Sequence, residues 1–374
     1  LGTEAGGRRI VTSSRLAWPL IFAAYFLVQM VIRLATGPAM ELDEAEAFWF
    51  GRDLALGYNA QPPLYIWLQW GVFQFTGETL FGIALLKALL LWLSATLLFF
   101  MLAREVPQSE AAVAVVALGL LPQVVWESQR ALANSVLTFA LAICFVALLR
   151  RASVKAGSGW FAALGLSIGL GTVSKFNFVL VPAGFLLWPL LSGGRGRLPW
   201  RGLALALGIA AVIVVPVLAW IVFNPVLAGG SVHKLGLGSG GVIGARVKGL
   251  TSLVVAIVSF LAPAILVLGG LWLARDRRIA ERPELVRFLA GGVATGLAVL
   301  VVGLVLSGTT EVKDRWLMPI LWPLVPAAVL WLWPVLSQRQ RRGLGIGAGL
   351  CWVVAMLALP YASLRDPGYR VGDF

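Results

Sequence analysis

The sequence predicts an all-α polytopic membrane protein, on three observations. Hydrophobic residues fill 59% of the 374 positions and charged residues 13%, too few to cover a water-soluble fold of this size. Apolar runs of roughly twenty residues, the length a helix needs to cross a bilayer core, recur along the whole chain between Arg, Lys, Pro and Gly. Those runs are continuously apolar, as from Ala111 to Val125 and from Gly249 to Trp272, whereas a transmembrane barrel shows short alternating segments.

Reading the runs against their breakers gives about eleven spans. They lie near residues 17–35, 80–103, 109–126, 131–149, 159–174, 177–192, 202–223, 250–273, 286–307, 317–336 and 344–362. The run after the polar Leu1 to Ser14 reads as an uncleaved first span rather than a signal peptide. Residues 1–374 then form one membrane domain, with no internal repeat and no soluble C-terminal domain expected. Alternate loops sort the basic residues. Arg104, Arg150, Arg151, Lys155, Arg195, Arg197, Arg275, Arg277, Arg278, Arg339, Arg341 and Arg342 gather on one side, which the positive-inside rule makes the cytoplasm.

The formal net charge of +13 argues little for nucleic acid, because the basic residues fall in small groups between spans rather than on one domain face. Cys144 and Cys351 lie inside apolar runs as small hydrophobes, so neither a disulfide framework nor a zinc site follows. His233 is the one histidine. It excludes a multi-histidine metal site and reads as a plain loop residue.

The side opposite the cytoplasm carries the long segments, residues 36–79 and 224–249, where function is expected. It also keeps Arg130, Lys175, Lys234, Lys313 and Arg315, cations that insertion alone does not favour there. The segment 224–249, rich in glycine, reads as a lid. In the first loop, Glu41 to Leu54 reads as a helix with acids in its opening turn, stopped by Gly57. Pro63 then opens a second helix carrying Tyr65, Trp67, Trp70 and Phe73, an aromatic load suited to the headgroup region. Glu41, Asp43, Glu44 and Glu46 crowd one and a half turns, at a repulsive cost unless a cation or a substrate offsets it. A solvated acidic face, a general base and a metal-ligand pair all fit that spacing. Arg33 and Lys87, inside apolar runs, call for snorkelling or an internal ion pair.

The pattern Asp43-Glu44-Ala45, Gly57-Tyr58, Gln61-Pro62-Pro63-Leu64-Tyr65 and Trp67-Leu68 resembles the first external loop of the bacterial protein-mannosyltransferase-like family. This is the GT-C class of membrane glycosyltransferases, which includes the aminoarabinose transferases of lipid A. The resemblance continues at Ser174-Lys175-Phe176 and at Lys313-Asp314-Arg315-Trp316-Leu317-Met318-Pro319. It implies a GT-C helical bundle with two interfacial helices in the first loop. It also implies inverting transfer from a polyprenyl-phosphate sugar, such as an undecaprenyl-phosphate sugar, to an acceptor at the periplasmic face of the inner membrane.

The family's first-loop aspartate, its base, matches Asp43, with Glu44 beside it in a positional or metal-linked role. A divalent cation, Mg or Mn, would sit on those two acids. Independently of the family, a phosphate leaving group needs fixed cations, and Lys175, Arg315, Lys313 and Arg130 lie at external span ends. The bland alternatives are snorkelling for Lys175 and Arg315 and an ion pair with Glu127 for Arg130. Tyr58, Gln61, Pro62, Tyr65, Asn134, His233 and Lys234 complete the candidate substrate contacts. Asn134 departs from the family, which commonly has an acid there; an amide carries no charge. The expected lack of a soluble C-terminal domain favours a lipid or glycolipid acceptor over a protein. The rival reading is a glycolipid or polyprenyl-phosphate flippase without catalysis, although a transporter usually needs polar helices at the bilayer midplane.

Overall fold

A computed structural model describes residues 4–155, 157–193, 199–230, 236, 242–275 and 283–365. The described residues are helical, joined by short turns. Helix α1 (Glu4–Ala35) leads to the first-loop helices α2 (Leu42–Phe50) and α3 (Leu64–Thr76), then α4 (Leu80–Leu102). Helix α5 (Gln108–Val116) continues through a tight turn and a wide turn over Gln123–Glu127 into α6 (Ser128–Arg130). The chain bends by 86° there, at Pro122, whose ring removes a backbone donor from the helix ladder. Then come α7 (Ala133–Val154), α8 (Ser158–Thr172), α9 (Leu180–Leu191), α10 (Trp200–Phe223), α11 (Pro225–Ala228), α12 (Val242–Leu273) and α13 (Glu284–Ser307). A short turn over Asp314–Trp316 precedes α14 (Met318–Leu321), α15 (Leu324–Leu332) and α16 (Gln338–Arg365).

Among the described residues, 8 helical segments are long and apolar enough to cross a membrane, and the bent α5–α6 pair makes up to 9. The other two segments of the eleven-span reading are the shorter helices α8 and Phe176–Leu191. The outer faces are apolar, with Val212 76%, Phe223 82% and Leu306 79% exposed, as expected of a multi-pass membrane protein that meets lipid.

Small residues let the helices approach closely. A Cβ at Gly165 of α8 would strike the Ala206 backbone of α10, and one at Gly184 of α9 would strike Gly292 of α13. The glycine run from 165 to 171 therefore packs within this bundle, where lipid supplies no hydrophobic drive and close van der Waals contact must act instead. The first loop corrects one detail of the sequence reading. Helix α2 ends at Gly51, which donates to the Ala47 carbonyl at 3.0 Å, six residues before Gly57. A side chain at Gly51 would collide with Ala47, Gln69 and Phe73, whereas Gly57 is needed because the loop crosses the face of Trp220 on α10.

Helix α2 is pinned by charge. Glu44 is 1% exposed and receives Arg33 of α1 at 2.7 Å and Lys87 of α4 at 3.1 Å. Arg33 also donates to the carbonyls of Gly37 at 3.1 Å and Ala39 at 2.8 Å. The internal ion pair is thus the right reading of both cations, and the apolar runs carry them because Glu44 comes down to meet them. Removing one member of such a buried set strands the others. Glu44→Ala is expected to cost about 3–5 kcal/mol of stability. Glu78→Ala, in the exposed Arg52–Glu78 pair (36% and 50% exposed), should stay within about 0.5 kcal/mol. Thermal unfolding of the two variants in detergent checks the difference.

Candidate active site

The acids of α2, the bend at α6, the start of α7 and the turns before α9 and α14 converge at one end of the bundle on a cavity of about 460 Å³. At the other end Arg150 binds Glu105 at 2.8 Å and Glu284 at 2.7 Å. The cavity is built from the break in α5–α6. Gln123, in the wide turn, donates from Nε2 to Asp314 Oδ2 at 2.6 Å, and Asp314 Oδ1 accepts the Arg315 backbone N–H at 2.6 Å. Asn177 Nδ2 donates to the Trp316 carbonyl at 2.6 Å. These bonds fix the turn that presents Arg315 and Trp316 to the cavity.

After the break the chain reverses at Leu132, whose φ of 63° and ψ of 34° are left-handed. For a bulky residue that conformation stores about 1–3 kcal/mol of strain. It turns the first residues of α7, Asn134 and Ser135, into the cavity wall, and no side chain caps that helix start. A helix N-terminus presents N–H groups and partial positive charge, both suited to an anion.

Charges in the cavity fall into two sets. Arg130 is paired to Glu41 and, at 3.1 Å, to Glu127. Burial pushes the Glu41 carboxyl above its ordinary value against the pull of Arg130, and Glu44 and Glu127 add to the rise. Lys175 and Arg315 make no ion pair among the described residues. The Lys175 amine donates to Ser135 Oγ at 2.7 Å. Burial pulls its pKa down to about 8, with the Arg315 charge lowering it and Asp43 raising it. Asp43 lines the cavity half-buried and makes no hydrogen bond or ion pair among the described residues.

Asp43, Gln61, Arg130, Asn134, Lys175 and Arg315, all expected from the sequence, do line this cavity. Asn134 Oδ1 is buried there without a hydrogen-bond partner. Other expected residues lie elsewhere. Tyr58 donates to the Asp53 carbonyl at 2.6 Å and accepts from the Ala55 N–H at 2.9 Å, holding its own loop. Pro62 lines a smaller recess of about 50 Å³ against Trp220 and Ile221. Tyr65 is 1% exposed in the core with Phe26, Ala47 and Phe73, because α3 packs its Tyr face inward. Lys313 precedes the Asp314 turn but does not line the cavity. His233 and Lys234 lie outside the described residues. The sequence reading missed Ser135, Asn59 and Trp316 as wall residues, although Trp316 stands beside Arg315 inside the Lys313 to Pro319 motif. It also missed the pairing of Glu41 with Arg130.

Glu44, expected beside Asp43 in a positional or metal-linked role, holds α2 in position and does not line the cavity. Neighbouring residues of a helix diverge by about 100°, and Glu44 turns away from the cavity to Arg33 and Lys87. The Asp43–Glu44 pair therefore does not fit a divalent cation. Among the described residues no group of three or more His, Cys, Asp and Glu is placed to hold one.

With its pKa pulled down to about 8 by burial, Lys175 loses its positive charge, and with it any attraction for an anion, as pH rises through that value. Binding of inorganic phosphate, used as an anion probe, should weaken from pH 8 to 9.5, by at most about tenfold per unit. Titrations with Lys175→Met should show weaker binding without that slope.

The sequence profile described as dolichyl-phosphate-mannose-protein mannosyltransferase matches residues 60–220. Lipopolysaccharide core galacturonosyltransferase RgtB of Rhizobium johnstonii is 36% identical over 309 residues, covering 80% of this chain and 62% of that protein. Lipopolysaccharide core galacturonosyltransferase RgtA of the same organism is 33% identical over 350 residues, covering 88% and 66%. The chain thus spans slightly under two thirds of the length of these curated relatives. The crystal structure of ArnT from Cupriavidus metallidurans bound to undecaprenyl phosphate superposes with a TM-score of 0.65 at 20% identity, covering 94% of this chain and 66% of that one. The chain thus shares the ArnT fold, and the profile and the curated relatives it resembles are those of glycosyltransferases.

Proposed function

We propose that the protein is an inverting glycosyltransferase that moves a sugar from a polyprenyl-phosphate donor to a lipid or glycolipid acceptor at the periplasmic face of the bacterial inner membrane. The observation that carries this reading is Asp43. Its carboxylate is without a partner among the described residues and shares the cavity with Lys175 and Arg315, the two cations without a counter-ion there.

The chemistry follows from that arrangement. Asp43 takes the proton of the acceptor hydroxyl as its oxygen forms a bond to the anomeric carbon. The bond from that carbon to the phosphate oxygen breaks on the opposite face, which inverts the configuration. Negative charge grows on the departing lipid phosphate. Lys175, Arg315 and the uncapped start of α7 stabilise it as charges and dipoles already fixed in place. Arg130 is largely neutralised by Glu41 and Glu127, and its part is to hold Glu41 and the α6 bend in place.

The external face is supported by the position of the cavity at the end opposite the Arg150 cluster. Leu227 and Gly230 line the cavity, so residues 224–230 form part of its rim. The names of RgtA and RgtB make a uronic acid the first sugar to test and a lipopolysaccharide-type glycolipid the first acceptor.

The native protein and Asp43→Asn are each incubated with bacterial lipid extract containing polyprenyl-phosphate sugars. Mass spectrometry should find a lipid that gains one sugar with the native protein, and the rate with Asp43→Asn should fall by about 100-fold or more. Equal rates in the two proteins would remove Asp43 as the base.

A further inference from the structure

We propose that the recess between α1, α4 and α16 is a binding site for an anionic phospholipid of the surrounding bilayer, separate from the polar cavity. It has an apolar well and a charged head. The well, of about 190 Å³, is walled by Trp18, Phe22, Val115, Gly349 and Trp352. The polar atoms of its aromatic walls are engaged within the protein: Tyr25 donates to the Trp352 carbonyl at 3.0 Å, and the Trp352 indole donates to the Val116 carbonyl at 2.9 Å. What faces the well is therefore ring and aliphatic surface. The head, a smaller recess of about 40 Å³, is lined by Arg33, Glu44, Lys87 and Gln129. Phe26 and Leu91 wall both parts, so the two adjoin.

Charge decides what the head takes. Two cations meet one carboxylate there, while Asp43 and Glu46 line the polar cavity and Glu41 is paired to Arg130. Among the described residues the Lys87 ammonium donates to Glu44 alone, which leaves it donors for a second anion. A positive charge inside a span is costly unless an anion answers it. Gln129 Oε1 is buried at the same recess without a hydrogen-bond partner, an acceptor for a headgroup hydroxyl. Length decides what the well takes. From Trp18 to Arg33 the axis of α1 rises about 22 Å, the depth of one leaflet with its headgroups. Ile21 and Val353 on the well's walls are exposed, so the well opens toward lipid between α1 and α16. Neither part shares a wall residue with the polar cavity. A phospholipid seated here has its phosphate on Lys87 and an acyl chain along α1, and it balances the charged set that orients α2.

Gly349 makes the well testable. A side chain added there meets nothing within 4 Å, so a tryptophan enters the well without displacing the backbone. Gly347, also on α16, is equally open but lines neither part, and Gly347→Trp is the control. Lys87→Met removes the charge at the head and leaves Arg33 and Glu44 as a balanced pair. Native mass spectrometry of the delipidated protein and the three variants measures binding of phosphatidylglycerol and of phosphatidylcholine with the same acyl chains.

The assignment predicts that the native protein binds phosphatidylglycerol about tenfold more tightly than phosphatidylcholine. Gly349→Trp should weaken phosphatidylglycerol by about tenfold or more, and Gly347→Trp should leave it unchanged. In Lys87→Met the two lipids should bind with equal affinity. Native-like phosphatidylglycerol binding in Gly349→Trp would overturn the site, as would an equal loss in Gly347→Trp. A preference for phosphatidylglycerol that survives in Lys87→Met would overturn it too. Should Lys87→Met fail to fold, the two tryptophan variants decide alone.

Discussion

The buried carboxylate of Glu44 is the constraint on which the first loop depends. Helix α2 has only nine residues, too few to be stable by itself, and it must be held at a fixed rotation for its neighbouring acid to be useful. Glu44 fixes that rotation by entering the apolar bundle between Arg33 of α1 and Lys87 of α4. Two cations inside apolar spans are costly, and an acid arriving from the loop relieves the cost only in one geometry. With Glu44 turned inward, Asp43 is turned along the cavity wall. The acid pair read from the sequence as a joint site is therefore divided, one member anchoring and the other facing the cavity.

A second device opposes the first across the cavity. Pro122 breaks α5, and the strained Leu132 restarts the chain as α7 with its first turn facing the site. The displaced turn brings Gln123 to Asp314, and so the middle of the sequence is tied to the Arg315 turn nearly two hundred residues later. Strain at a cavity wall is tolerated where surrounding contacts over-determine it. Here the α6 ion pairs of Arg130 and the α7 packing supply those contacts. The cation-lined end of the cavity is thus made from three separate chain segments, each held by side-chain bonds to the backbone or to another segment.

Much of this was legible in the sequence, for physical reasons that differ by residue. Spans were readable because lipid imposes length and apolarity. Lys175 and Arg315 stood out as charges at span ends that need a reason to be there, an argument that also picked Lys313, which does not line the cavity, while Asp43 stood out only through the family resemblance. The first-loop helices were readable from Pro63 and the acids, although Gly57 was taken as the stop. A glycine demanded by the Trp220 ring looks, in sequence, like one demanded by a helix end. Tyr65 misled because an aromatic beside a motif can face the core as well as the ligand, and helical phase near a short loop is not fixed by composition. The partnership of Arg33 and Lys87 with Glu44 was half-visible. Two cations in apolar runs called for an acid, but only the fold shows which of four acids answers.

The most direct measurement is a cryo-electron microscopy structure of the protein with undecaprenyl phosphate added. The account predicts phosphate density within ~3 Å of the Lys175 amine and the Arg315 guanidinium, facing Asp43 across the cavity. Phosphate density bound elsewhere, with Lys175 still on Ser135 and no contact to Arg315, would contradict it.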